Sequence, residues 1–170
     1  MSYGHLYLFS AAIGLGASYF LLSFIFSKFF SQPLAIEKLK KLKPVCIIVV
    51  LSLVISAISH EMPVGPDNRF LHALGGGLMV VLVCFLAIKN LQFGISRFQF
   101  IVVSALTATA FGVGNELLEF FLENYFGLIA NVSLNDTWLD LLSNTVGIIF
   151  ALLVLTPLYK QRNPEIDGKM

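Results

Sequence analysis

Between Asn115 and Gly147 the chain reads NELLEFFLENYFGLIANVSLNDTWLDLLSNTVG. That stretch carries five of the ten acidic residues of a sequence that is 57% hydrophobic. Glu116, Glu119 and Glu123 continue the spacing of Gly112 and fall on one face of a helix. Asp136, Asp140, Asn144 and Gly147 fall on another, and His72, Gly75, Gly76 and Met79 on a third. A carboxylate inside an apolar run must be paired, neutralised or metal-bound. Arg69 and His72 are the basic side chains near these carboxylates, so the sequence lacks a cation there. A metal ion, a proton or the head of a ligand could supply it. Oxygen-rich ligation points to Mg²⁺ or Mn²⁺, and the imidazole admits Zn²⁺. The expected metal set is His72, Glu116, Glu119 and Asp140. The acid–base candidates are Glu116, Asp140 and His72. The wider binding set adds Arg69, Asp136 and Asn144, with Asp67 above. Simpler roles compete: an N-cap for Asp136, a solvated helix end for Glu123, and an interhelical hydrogen bond for Asn144.

The elements that must position these side chains are membrane spans. Charged residues make up 12% of the 170 residues, against a soluble average of about 25%. The mean hydropathy is +0.84. We read an all-α, polytopic helical bundle in a single membrane domain, 1–170. Five transmembrane helices are expected, at about 6–27, 44–59, 70–88, 98–122 and 137–159. Each matches a hydrocarbon core of ~30 Å. No Lys or Arg precedes Lys28, so the first run reads as a retained span rather than a cleaved leader. The segment IEKLKKLK reads either as a short amphipathic surface helix or as a basic loop. Cys46 and Cys84 lie in apolar runs and read as small buried hydrophobes.

Basic residues set the expected orientation. With the N-terminus outside and the tail inside, ten of the eleven Lys and Arg fall on the inner side and only Arg69 outside. Seven of the ten acids fall on the outer side: Glu61, Asp67, Glu116, Glu119, Glu123, Asp136 and Asp140. Counting roughly 20 residues from Lys89, Arg97 and Lys160, at 1.5 Å each, brings His72, Glu116 and Asp140 to one depth under the outer boundary. Asn144 lies one turn deeper. Polar stripes facing lipid are penalised, so all three should turn inward.

The motif residues resemble the VanZ-like membrane proteins, and more closely their YjdF-like branch of bacterial inner-membrane proteins. That branch shows an ExxEF helix end, here Glu116, Glu119 and Phe120. It then shows DTxxDLxxNxxG, here Asp136, Thr137, Asp140, Leu141, Asn144 and Gly147. An upstream DNRFLH supplies Asp67 and His72. The resemblance covers about residues 66–150. VanZ is associated with teicoplanin resistance; its typical DExxQ is NELLE here. The resemblance implies a multi-pass protein of the bacterial cytoplasmic (inner) membrane more firmly than it implies an activity.

Three functions follow as expectations. The first is a binding or accessory protein of the envelope, with a glycopeptide-resistance-type role as one form. The second is a metal- or acid/base-dependent enzyme acting on a lipid or lipid-linked precursor. The third is a proton or cation permease, against which the inner halves of the last three spans carry few ionisable groups. The bilayer is the expected surrounding, and no nucleic-acid partner is expected. There is no Ser-based elbow, Cys nucleophile or phosphate-cradling Gly loop. The orientation predicts that single cysteines at Ser2 and Asn131, placed in a background without Cys46 and Cys84, label in intact cells. One at Lys169 should not, and its labelling without permeabilisation would reverse the topology.

Overall fold

The computed structural model describes residues 3–32, 34, 36–60, 69–127 and 134–160. Among them every regular element is helical: α1 (Tyr3–Phe29), α2 (Ile36–Leu39), α3 (Lys43–His60), α4 (Arg69–Leu71), a π-helical segment (His72–Leu78), α5 (Met79–Leu91), α6 (Arg97–Phe126) and α7 (Leu134–Leu158). Four helical stretches are long and apolar enough to cross a membrane: Ala12–Phe29, Arg69–Leu91, Arg97–Phe126 and Asn135–Leu158. The 18-residue α3 is a further apolar helix, KPVCIIVVLSLVISAISH. Apolar side chains cover the outside as well as the inside. Leu106, Leu117, Trp138, Leu142 and Leu153 are all more than half exposed. In water that shell would be a liability; in lipid it is the ordinary exterior of a spanning helix.

Local sequence explains the helix limits. Ser96 caps α6, its hydroxyl accepting from the Gln99 N–H at 3.1 Å while the Gln99 side chain accepts from the Ser96 N–H at 2.8 Å. Gly127, at φ 61°, ends α6 in the left-handed conformation that glycine adopts without strain. The helix runs to Phe126, about a turn past the expected end of its span. The basic segment forms only the one-turn α2. It is fastened to the end of α5, where the Asn90 amide donates to the Lys38 carbonyl at 2.9 Å and to the Tyr19 hydroxyl at 2.7 Å.

That end of the bundle is closed by aromatic packing. Phe100 at the start of α6 stacks on Tyr159 just after α7, with ring centroids 5.0 Å apart. The Tyr159 hydroxyl donates to the Ile95 carbonyl at 3.0 Å. These contacts make α6 antiparallel to α5 and α7, and leave α5 and α7 parallel. The chain starts of α4 and α7 then meet the far part of α6 at the opposite end, where the acidic residues are.

Span three departs from the uniform helix expected. Its start is π-helical, and the Met79 N–H bonds to the Leu74 carbonyl five residues back. In an α-helix residues five apart sit about 140° round from one another. A π turn stacks them instead, so His72 and Gly77 share one face. That face meets α7, the partner against which the π segment packs most extensively. A Cβ on Gly77 would lie 2.5 Å from the Asn144 carbonyl oxygen and 2.8 Å from Gly147 Cα. A Cβ on Gly147 would run into the Ala73 carbonyl, and one on Gly76 into the Asn144 side chain. Gly75, expected on the packing stripe, has nothing within 4 Å of its Cβ position, because the wider turn shifts the phase by one residue. We expect Gly77→Ala and Gly147→Ala each to lower stability by about 1–3 kcal/mol through overpacking. Gly75→Ala should be nearly neutral. Thermal unfolding of the purified variants in one detergent checks the contrast.

Candidate functional site

Three helices deliver the site. On α6 the buried positions are Phe100, Ser104, Ala108, Gly112 and Glu116, a strict four-residue repeat. Small residues along that stripe let α6 lie close to its neighbours, and the stripe ends by carrying a carboxylate inward. On α7 the buried face is Asp140, Asn144, Gly147, Ile148 and Ala151. The π segment contributes His72, and α4 contributes Arg69.

The structure brings His72, Glu116 and Asp140 together. One ligand atom from each lies within 4.8 Å of the others. His72 stands between the two carboxylates: Nδ1 is 3.8 Å from Glu116 Oε1, and Nε2 is 3.5 Å from Asp140 Oδ2. Glu116 is 6% exposed and Asp140 4%. Neither oxygen of Glu116 has a hydrogen-bond partner among the described residues. A buried acceptor left that way is costly, and a buried carboxylate more so.

Arg69 serves the other side of Asp140. Its Nη1 donates to Asp140 Oδ1 at 2.8 Å and to Asp136 Oδ1 at 2.7 Å. Asp136 is thus tied into the cluster by an ion pair across α4 and α7, beyond the helix-capping role its position suggested. Asn144, one turn deeper, is 3% exposed, and its amide fills the space left by Gly76 and Gly112. It sits beneath the three-residue group as a wedge between helices.

Two other residues of the sequence set sit apart from the three. Glu119 is half-buried and accepts from the Asn115 amide at 2.7 Å, one turn back on its own helix. Glu123 lies a further turn along α6. Asp67 and Glu61 lie outside the described residues. Sequence reasoning missed the π turn and Gly77 as determinants of the site. The run GGG was the available signal, since three consecutive glycines give a helix little reason to keep α geometry.

The sequence profile of one family, described as predicted membrane protein (DUF2238), matches residues 45–161. The chain belongs to that family. The match spans α3 to the end of α7 and contains Arg69, His72, Glu116, Asp136, Asp140 and Asn144. It also takes in α3, upstream of the 66–150 stretch in which the motifs lie. No curated protein and no solved structure matches the chain. Family membership makes this a membrane protein, and the multiple apolar helices fit a multi-pass one.

The Arg69–Asp140 contact should be energetically coupled, because it joins two helices through a nearly buried carboxylate. A double-mutant cycle of Arg69→Gln and Asp140→Asn should give a coupling of about 1–3 kcal/mol. Arg69→Gln with Glu37→Gln, at the opposite end of the bundle, should be additive within about 0.5 kcal/mol.

Proposed function

We propose that this is a metal-binding protein of the bacterial cell envelope, with a divalent cation held by His72, Glu116 and Asp140 in the membrane-embedded end of the bundle. The observation that carries this reading is the buried Glu116 carboxylate. Both its oxygens lack a hydrogen-bond partner among the described residues, and an imidazole and a second carboxylate stand within 4.8 Å. Atoms bound to one ion at about 2.0–2.2 Å sit some 3–4 Å from each other. One ligand atom from each of the three lies within 4.8 Å of the others, so small side-chain adjustments of about 1 Å bring the set onto one ion. Arg69 already faces Asp136 and Asp140, so Glu116 is the acid whose counter-charge is missing. A cation there removes the cost of burying it.

Three protein ligands leave a coordination position for water or for an anionic group. The exposed helix surface beside the site is apolar, with Leu117, Phe120, Trp138 and Leu139 on it, which favours an amphiphilic partner, a lipid or a lipid-linked envelope precursor. The accessory role suggested by the VanZ-like resemblance and a metal-dependent hydrolysis both use such a site. The resemblance also supports the cytoplasmic membrane as the location, and the ten-to-one distribution of basic residues supports an outward-facing acidic end.

One observation favours a second reading. The two ring nitrogens of His72 face different carboxylates. A protonated imidazole so placed is a proton relay between Glu116 and Asp140, suited to acid–base work without metal. Metal analysis separates the two. We expect about one divalent ion per chain in protein purified without chelator. Glu116→Gln and Asp140→Asn should each lose it, and the double variant should be little worse than either single. Protein that stays metal-free after incubation with Zn²⁺ and Mn²⁺, with His72 titrating as an imidazolium by NMR, would replace the metal reading with the relay.

A further inference from the structure

We infer that Arg69 selects the metal: by holding one oxygen of Asp140 it disfavours two-oxygen ligation, and with it Ca²⁺, relative to a small transition-type ion. The inference rests on the metal reading above and goes beyond it. Asp140 presents its two oxygens to different partners. Oδ1 receives the Arg69 guanidinium at 2.8 Å, and Oδ2 faces His72 Nε2 at 3.5 Å. With Oδ1 engaged by the guanidinium, ligation through both oxygens is disfavoured, and Oδ2 is the oxygen turned to His72. The clamp is itself held, because the same Nη1 donates to Asp136 Oδ1 at 2.7 Å. The paired side chains are mostly buried, Asp140 at 5% and Asp136 at 15% exposure against 25% for Arg69.

This matters because ions differ in what they ask of a carboxylate. Ca²⁺ takes six to eight oxygens and commonly binds Asp or Glu through both. Mg²⁺ demands near-octahedral oxygen ligation and gives up its water reluctantly. A site of one imidazole, one carboxylate used through a single oxygen, and Glu116 offers too few oxygens for Ca²⁺, and the imidazole is a poor ligand for Mg²⁺ whatever Arg69 does. Glu119, the further oxygen donor of the sequence set, is turned to Asn115. One nitrogen and two carboxylates with an open position suit Zn²⁺, and next to it Mn²⁺ or Fe²⁺. The sequence alone favoured Mg²⁺ or Mn²⁺ by counting acids. The clamp takes an oxygen out of that count.

Because one nitrogen makes both contacts, a lysine ammonium can replace it while glutamine cannot supply the charge. Full-length protein in detergent, stripped with chelator, is titrated separately with Zn²⁺, Mn²⁺, Mg²⁺ and Ca²⁺. Wild type should prefer Zn²⁺ over Ca²⁺ by at least about 100-fold, as expected for imidazole-containing sites. Arg69→Gln should narrow that ratio by about tenfold or more, the size of effect seen when a group supporting a metal ligand is lost. Arg69→Lys should restore most of it. A folded Arg69→Gln protein with the wild-type ratio overturns the proposal and leaves the metal reading standing. Wild type that binds Ca²⁺ best does the same. Wild type that binds none of the four ions removes both. If Arg69→Gln is not monodisperse, Asp136→Asn carries the test, since it loosens the same nitrogen. An unchanged ratio there overturns the proposal equally.

Discussion

The backbone contact between the π-helical segment and α7 is the constraint on which the rest depends. Gly77 lies so near the Asn144 carbonyl and Gly147 that no side chain fits between them. Gly147 in turn lies against the Ala73 carbonyl. Helices in lipid gain little from apolar burial alone, because the solvent they leave is as apolar as they are. They gain from close van der Waals approach, and glycine permits the closest. Here that approach also sets the site. His72 opens the π segment, and Asp140 and Asn144 lie within two turns of Gly147. Whatever fixes Gly77 on Gly147 fixes His72 relative to Asp140.

Around that contact the bundle is polar at one end and apolar at the other. Tyr19, Ile88, Phe93, Phe100 and Tyr159 fill the lysine-rich end with almost no exposure. Asn90 there is satisfied by Tyr19 and Lys38, while the Ser23 and Thr156 hydroxyls have no partner among the described residues. At the opposite end the buried groups are Glu116, Asp140 and Asn144, and the hydrogen bonding is incomplete. Among the buried atoms without a partner the two Glu116 oxygens are the costliest to leave so, because a carboxylate loses more on burial than a hydroxyl, and a ligand there supplies what is missing. Arg69 is the exception within the polar end. It meets two aspartates with one nitrogen, and so divides the acids into a pair with an internal counter-ion and a glutamate without one.

Much of this was legible in the sequence. Composition made the chain a membrane protein, because a chain with so few charges cannot cover itself in water. Apolar runs located the helices, because a span needs about 20 apolar residues. The i, i+4 spacing of Gly112 with Glu116, and of Asp140 with Asn144, put each pair on an inward face. Lipid leaves a polar side chain few other places to go. Counting residues from the basic helix ends placed His72, Glu116 and Asp140 at one level, since rise per residue is nearly constant.

Tertiary structure decided what spacing cannot. The π turn moved the packing stripe from Gly75 to Gly77. Helical hydrogen bonding five residues apart costs little at a glycine run, and only the neighbouring helix determines whether it happens. Glu119 shares a stripe with Glu116 yet turns to Asn115, because a side chain one turn farther out finds a partner on its own helix. Asp136 could have been a helix cap, and becomes one half of the Arg69 clamp because α4 starts beside α7. Residue type and helical period fixed which side chains face inward and at what depth. Which of them meet depends on helix crossing, local winding and side-chain torsions, and these are settled only when all the helices pack.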